Sequence, residues 1–217
     1  MNPITFTERV GTLNVLCIGA HSDDIEIGAG GFILSLLESE LIVNVRWCVL
    51  SAPGARATEA RQSAEDFLKG AAAHSIELGD FEDTQFPDQR PQIKAWLARI
   101  RDLGSPDLVL VHRADDAHQD HRTLNELAWN MFRDHTILEY EVPKWDGDFG
   151  RPNAYAALTQ AVLERKLELL ERNFASQRSR DWFDPETFRG LARLRGMECR
   201  APERFAEAFS APKIRLV

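Results

Sequence analysis

The sequence predicts an α/β fold in which a mostly parallel β-sheet lies between two layers of helices. Apolar runs of strand length alternate with segments of helical periodicity along residues 13–135. The run "LNVLCIGA" is apolar almost throughout, which is typical of a parallel strand buried on both faces. Two segments crowded with ionisable residues, "AHSDD" and "HRADDAHQDH", each begin where such a run ends. These observations place a ligand site at the carboxyl ends of the strands.

The first part of the chain supplies four strands and four helices in strict alternation. The predicted strands are 13–20, 41–50, 74–80 and 106–112. The predicted helices are 28–40, 57–74, 90–103 and 119–135. Thr58 opens the second helix and Pro91 lies in the first turn of the third. Consecutive βαβ units of this kind predict a Rossmann-like three-layer sandwich.

The pattern changes after residue 140. Residues 141–155 are rich in Pro, Gly and Asp and predict an irregular loop. Helices are predicted at 158–174 and 186–195, and a short strand at 203–209. The chain has 217 residues and no repeat or linker, so we expect one domain over 1–217.

Composition restricts the class of protein and its partners. Apolar residues make up 44% of the chain and charged residues 28%, as in ordinary globular proteins. The net charge of −8 disfavours nucleic acid and anionic membranes as partners. The N-terminal stretch "MNPITFTERV" does not have the pattern of a signal peptide, and no apolar run has the length of a membrane span. Three widely spaced cysteines predict no disulfide framework, so we expect a cytoplasmic location.

Four of the six histidines fall in the two charged segments. The first segment holds three ionisable side chains in four residues, which compete for charge unless a cation gathers them. Imidazole and carboxylate together suit zinc and similar divalent ions, and a hydrolytic centre needs three protein ligands and one open position. The residues of the two segments are His21, Asp23, Asp24, His112, Asp115, Asp116, His118, Asp120 and His121.

Structural roles compete with the metal-site interpretation for single residues. Asp115 fits a turn, Asp120 fits a helix cap, and both His74 and His135 fit caps or turns. The glycines of "GAGG" (28–31) suggest a dinucleotide-binding loop, but their spacing is not G-x-G-x-x-G. Those glycines are better explained by close packing of a helix on the site or the sheet.

The two charged motifs together resemble a known family. "AHSDDIEIGAGG" resembles the first motif of the PIG-L/LmbE-like zinc deacetylases, and "HQDH" resembles their second motif. The similarity continues to "SQ" at 176–177, so it covers most of the chain. Ser22 stands where the family usually has proline, a change that affects only the stiffness of the turn.

The resemblance implies a metal centre with three protein ligands. These are His21, Asp24 and His121, and the implied ion is Zn²⁺, with another divalent ion such as Fe²⁺ as the alternative. Asp23 then matches the general base that takes a proton from the attacking water.

The resemblance also implies the groups that assist the leaving amine. His118 matches the residue that faces the oxyanion and protonates the amine. Asp120 matches a partner that orients His118 and keeps it cationic, since a nearby carboxylate raises the pKa of an imidazole.

Substrate contacts have weaker signals. Arg56 follows the second strand and resembles a substrate-binding position, with a solvated arginine as the alternative. Asp83 and Asp88 follow the third strand and fit either sugar hydroxyls or turns. Trp145 and Asp146 lie in the irregular loop, where an aromatic ring either stacks on a sugar or packs ordinarily.

The function that the resemblance implies is metal-dependent hydrolysis of an N-acetyl group from an amino-sugar-containing small molecule, with acetate and a free amine as products. The expected partner is this small molecule, and a homo-oligomer is compatible with the sequence. One alternative is a metal-dependent hydrolase of another amide, an ester or a phosphoester, for which two metals about 4 Å apart are usual. Another is a non-catalytic binding protein with a vestigial site.

Overall fold

The computed structural model describes residues 11–215, which build a seven-stranded sheet. The strands are β1 (Thr12–His21), β2 (Ile42–Ser51), β3 (Ala73–Leu78), β4 (Leu108–His112), β5 (Thr136–Tyr140), β6 (Ala154–Leu158) and β7 (Phe205–Ser210). The N-terminal stretch on which the signal-peptide expectation depends lies outside the described residues. Within residues 11–215, no helix combines the length and the hydropathy that a membrane crossing requires.

The strand order is β3-β2-β1-β4-β5-β7-β6. The first five strands are parallel, whereas β7 runs antiparallel to both β5 and β6. The predicted mostly parallel α/β sheet is therefore confirmed. Because the chain reverses direction in strand order at β1 and β4, their carboxyl ends flank the crevice where such sheets bind ligands.

Six helices cover the two faces of the sheet. They are α1 (Asp24–Leu37), α2 (Ala55–Phe67), α3 (Arg90–Asp102), α4 (Gln119–Met131), α5 (Gln160–Asn173) and α6 (Pro185–Cys199). On one face, α1, α2, α5 and α6 pack on the odd-numbered residues of β1 and β2. On the other, α3 and α4 pack on the even-numbered residues. This alternation explains why both faces of β1 and β2 carry buried apolar residues.

Some boundaries differ from the predictions for local reasons. The second helix stops at Phe67, before the predicted residue 74, because Gly70 has a positive φ of 114°. Strands β5 and β6 were not predicted, since each has only five residues and a weak pattern. Strand β6 interrupts the end of the segment predicted as an irregular loop, where it pairs with β7 at the sheet edge.

The glycines of α1 allow close packing. A Cβ atom on Gly28 would lie 2.2 Å from the ring of Tyr140, and one on Gly30 would lie 2.7 Å from Phe67. A Cβ on Gly31 would lie 2.7 Å from Leu158. These close approaches support the packing interpretation of the glycines over a dinucleotide loop.

Candidate metal centre

The two charged segments meet at the carboxyl edge of the sheet. β1 ends at His21 and α1 begins at Asp24; β4 ends at His112 and α4 begins at Gln119, after the short segment 113–118. A cavity of about 310 Å³ opens there and is lined by groups from both segments. Among its lining residues are His21, Asp24 and His121.

Three side-chain atoms form a nearly equilateral triangle at the floor of the cavity. His21 Nδ1 lies 3.3 Å from Asp24 Oδ2 and 3.3 Å from His121 Nε2. Asp24 Oδ2 lies 3.4 Å from His121 Nε2. An ion held tetrahedrally at about 2.0–2.1 Å from its ligands separates those ligands by about 3.3–3.4 Å. The donor set therefore fits a small divalent ion, and its members are the three residues predicted as metal ligands.

Local structure fixes Asp24. It is the first residue of α1, and its Oδ2 accepts a hydrogen bond from the backbone N–H of His21 at 2.7 Å. Burial opposes its charge, but the imidazoles of His121, His112 and His21 outweigh burial and hold the pKa of Asp24 well below its usual value. The carboxylate is thus held ionised, as metal coordination requires.

The outer nitrogens of the two ligand imidazoles face carboxylates. His21 Nε2 lies 2.9 Å from Asp83 and 3.3 Å from Asp120, and His121 Nδ1 lies 3.0 Å from Asp116. Burial opposes the charged form of His21, yet the carboxylates of Asp24, Asp120 and Asp83 raise its pKa well above the usual value. The negative charge of these carboxylates also favours a divalent cation between the two imidazoles. Carboxylates in this position orient metal-binding histidines.

Lysine 144 extends this arrangement to the long loop after β5. Lys144 Nζ lies 2.9 Å from Asp116 and 2.7 Å from Asp148. Nothing in the sequence pattern indicated this residue, because the pairing depends on how the loop returns to the site.

Asp23 lies beside the triangle. Its side chain is almost fully buried, and Oδ1 accepts a hydrogen bond from Arg56 Nη2 at 2.9 Å. Oδ2 has no hydrogen-bond partner among the described residues. Burial raises the pKa of Asp23 despite the opposing charge of Arg56. A carboxylate with one unoccupied oxygen and a raised pKa is suited to proton transfer.

His118 and Asp120 require a correction. His118 Nδ1 accepts a hydrogen bond from the backbone N–H of Asp120 at 3.2 Å, whereas the expected partner was the carboxylate of that residue, whose charge still acts against burial to raise the pKa of His118. The Asp120 carboxylate instead accepts from the backbone N–H groups of Thr84 and Phe86, at 2.7 and 3.1 Å. The physical reason is that His118 caps α4, which directs its Nδ1 toward the helix amides.

The protonation of His118 differs accordingly from the prediction. Burial, followed by the neighbouring His121 and His21, lowers the pKa of His118. Because Nδ1 accepts a hydrogen bond, the neutral ring carries its proton on Nε2. His118 is therefore set up as a neutral N–H donor in place of the cation that was expected.

His112 is a site residue to which the sequence interpretation gave no role. It is fully buried, its Nε2 accepts from the backbone N–H of Ala20 at 3.0 Å, and the same atom lies 3.2 Å from Asp24. Burial lowers its pKa to about 4, so the ring is neutral. The available signal was its position as the last residue of a buried strand.

The remaining candidate residues of the sequence analysis divide into those that line the cavity and those that do not. Arg56, Asp83, Trp145 and Asp146 line the cavity, whereas Asp88 is not among its lining residues. Asp115, His74 and His135 take structural roles: they contact Arg113, Glu65 and Ser105 respectively.

Fold and site together define the class of protein. It is an α/β protein with a candidate divalent-metal centre at the strand ends, next to a buried carboxylate and an imidazole donor. The PIG-L family, described as GlcNAc-PI de-N-acetylase, matches residues 16–132, more than half of the chain. The chain belongs to this family, which confirms the resemblance found in the sequence motifs. The matched segment contains all of the residues predicted for metal binding and catalysis.

Solved structures of similar fold cover nearly the whole chain. An N,N'-diacetylchitobiose deacetylase from Pyrococcus horikoshii is 24% identical, covers 90% of this chain and 82% of its own, and has a TM-score of 0.68. The zinc-inhibited form of teicoplanin deacetylase Orf2 is 14% identical, with coverages of 92% and 100% and a TM-score of 0.67.

A third structure shows that the fold alone does not decide the reaction. GalB, the 4-carboxy-2-hydroxymuconate hydratase from Pseudomonas putida KT2440, is 19% identical, covers 94% of this chain and 98% of its own, and has a TM-score of 0.71. A comparison with curated protein sequences finds no match. Reaction and substrate must therefore be argued from the site.

Proposed function

We propose that this protein is a divalent-metal-dependent, zinc-preferring N-deacetylase. It hydrolyses the N-acetyl amide of an amino-sugar-containing small molecule and releases acetate and a free amine. Family membership supports a deacetylase. The observation that carries the proposal is the triangle of His21, Asp24 and His121, with Asp23 beside it in one cavity.

The three triangle atoms would hold the ion. A divalent ion there supplies Lewis acidity, which lowers the pKa of water and polarises an amide carbonyl. Asp83, Asp116 and the Asp120 carboxylate orient the two ligand imidazoles, as outer carboxylates do in metal centres.

Asp23 acts as the general base. Its Oδ2 accepts the proton of the attacking water, while the Arg56 hydrogen bond holds Oδ1 in place. Arg56 also lines the cavity, so it contacts the substrate at the same time.

His118 acts on the opposite side as donor to the oxyanion. Its Nε2–H is available because Nδ1 is occupied by the Asp120 backbone amide. An amine leaves only when it is protonated as the C–N bond breaks. Asp23 passes the proton that it took from the water to this nitrogen, while the His118 N–H stabilises the oxyanion.

The test measures acetate and metal together. Purified protein is incubated with N-acetylglucosamine and its glycosides, and released acetate is quantified beside metal content per chain. Asp23→Asn is expected to lower kcat by about 10²–10⁴-fold with metal retained, because only the base is lost. Asp88→Asn, a carboxylate outside the cavity lining, is the matched control.

Two results would reject the proposal. The first is absence of acetate release from every N-acetylated sugar offered to the metal-loaded protein. The second is two metal ions per chain with phosphoester cleavage, which would favour the other hydrolase class. His21, Asp83, His118 and Asp120 form a second group of potential ligands that overlaps the first, so metal counting distinguishes these cases.

A further inference from the structure

Two indole rings line the outer part of the catalytic cavity. Trp145 is 68% exposed, yet its Nε1–H donates a hydrogen bond to Asp181 Oδ1 at 2.9 Å. Its ring contacts Trp182 edge to face, with 6.2 Å between centroids. An aromatic side chain that is both exposed and held in place offers apolar surface to a ligand without a large ordering cost.

A series of aromatic contacts joins these rings to the core. Trp182 contacts Phe183 with 5.7 Å between centroids, and Phe183 contacts Phe174 at 6.1 Å and Phe188 at 5.4 Å. All three phenylalanines are buried. The indoles are therefore supported from within and form a preorganised surface at the cavity mouth.

Arg180 adds a positive charge to the lining of the same cavity. It lines the cavity, its side chain is exposed, and within residues 11–215 it has no ion-pair partner. The other two cations of the cavity are engaged, since Arg56 pairs with Asp23 and Lys144 pairs with Asp116 and Asp148. Arg180 is thus the lining cation that remains available to an anion.

The segment that carries Arg180 is anchored at both ends. Ser176 donates hydrogen bonds from its backbone N–H and its hydroxyl to Glu59 of α2, at 2.9 and 2.6 Å. Seven residues on, Phe183 is buried among the aromatic contacts described above. The backbone around Arg180 is consequently fixed relative to α2, which carries Arg56.

We propose that the outer half of the cavity is a subsite for a ring-shaped, negatively charged aglycone. Trp145 and Trp182 contact the face of the ring, and Arg180 binds a carboxylate or phosphate on it. This inference rests on the proposed function, because it assigns the group attached to the N-acetylated sugar whose amide lies at the metal centre.

The experiment compares substrates in pairs in which only one member carries an anionic group. The carboxylate arm uses the 4-carboxyphenyl and phenyl glycosides of N-acetylglucosamine, and the phosphate arm uses N-acetylglucosamine 1-phosphate and free N-acetylglucosamine. The charged member of a pair is expected to have about tenfold higher kcat/KM, mainly through KM, since a hydrogen bond to a charged group contributes to binding. The preference should shrink with added salt because Arg180 is exposed. The arm with the larger ratio identifies the anion.

Variants of Arg180 and Trp145 test whether these residues cause the preference for the charged substrate. Arg180→Gln is expected to reduce the ratio to near 1 and Arg180→Lys to restore part of it. Arg61→Gln, an exposed arginine of α2 outside the cavity lining, should keep the wild-type ratio. Trp145→Ala should raise KM for both phenyl glycosides while the charge ratio persists.

A second measurement separates this inference from the proposed function. Calorimetric titration of the four compounds into the Asp23→Asn protein measures affinity without turnover. Tighter binding of the charged compounds that disappears in Asp23→Asn/Arg180→Gln supports the subsite even if no acetate is released. Equal affinities and equal kcat/KM within each pair would overturn the subsite and leave the deacetylase proposal intact.

Discussion

The floor of the cavity, which holds the proposed metal ligands, and its rim, which holds Trp145 and Arg180, differ in burial and in the number of polar contacts. On the floor, Asp24, His112 and His121 are buried and each contacts several charged or polar partners. At the rim, Trp145 and Arg180 are exposed and have few polar partners. The contrast teaches that the chemistry is fixed by buried charge, whereas the choice of aglycone is left to surface groups whose replacement costs little stability.

The largest effect is expected for His121→Ala on the floor. The substitution removes one of three ligands, so metal content should fall and activity should reach background. Inductively coupled plasma measurement of metal per chain checks this, with circular dichroism to verify folding. Retention of one tightly bound ion in the folded variant would contradict the ligand assignment.

His118→Ala should separate oxyanion stabilisation from metal binding. We expect kcat to fall by about 10²–10³-fold with metal content unchanged, because the donor lies beside the triangle and is not part of it. Steady-state kinetics and metal analysis on the same preparation measure both quantities. A variant that instead lost its metal would show that the roles of His118 and His121 are interchanged.

A smaller effect is expected for Asp116, which contacts the imidazole of the proposed ligand His121 and not the ion itself. Asp116→Asn removes the carboxylate 3.0 Å from His121 Nδ1 and should weaken metal affinity by about 10–100-fold. Competition with a chelator measures the dissociation constant. Asp115→Asn is the matched control, since that neighbouring carboxylate is 75% exposed and, among residues 11–215, pairs with Arg113 and with no other charged side chain. Equal losses in the two variants would refute the orienting role.

The smallest functional effect, but a measurable change in stability, is expected for Glu26→Gln. Burial raises the pKa of Glu26 to about 8, so the folded state retains a proton that the unfolded chain releases near its ordinary pKa. Stability of the metal-free protein should therefore decrease as the pH rises from about 4.5 to about 8. Glu26→Gln should remove the contribution of Glu26 to this decrease and add on the order of 4 kcal/mol at pH 8.

Urea denaturation of the metal-free protein at pH 5 and pH 8 checks the Glu26 prediction. The exposed Glu40→Gln on the loop after α1 is the control and should follow the wild type. An identical pH dependence in Glu26→Gln and the wild type would show that Glu26 is not the responsible group.

Much of this site was accessible from the sequence because its motifs are local. "AHSDD" spans the end of β1, and "HQDH" lies at the start of α4, a few residues after β4, so placement near strand ends implied their meeting. The hydrogen bond from the backbone of Asp120 to His118 was not predicted, because it depends on His118 capping α4. Lys144 and Arg180 gave no usable signal, since each matters only through loops that return from distant parts of the chain.

The sequence by itself determined the parallel α/β order, the family and the identity of the three candidate ligands, because hydrophobic periodicity and motif spacing are local properties. Only the tertiary structure decided the 3.3–3.4 Å triangle, the partners of each imidazole and the composition of the rim. These depend on separations of about a hundred residues along the chain, such as His21 to His121, which packing of the sheet and helices closes to hydrogen-bond distance.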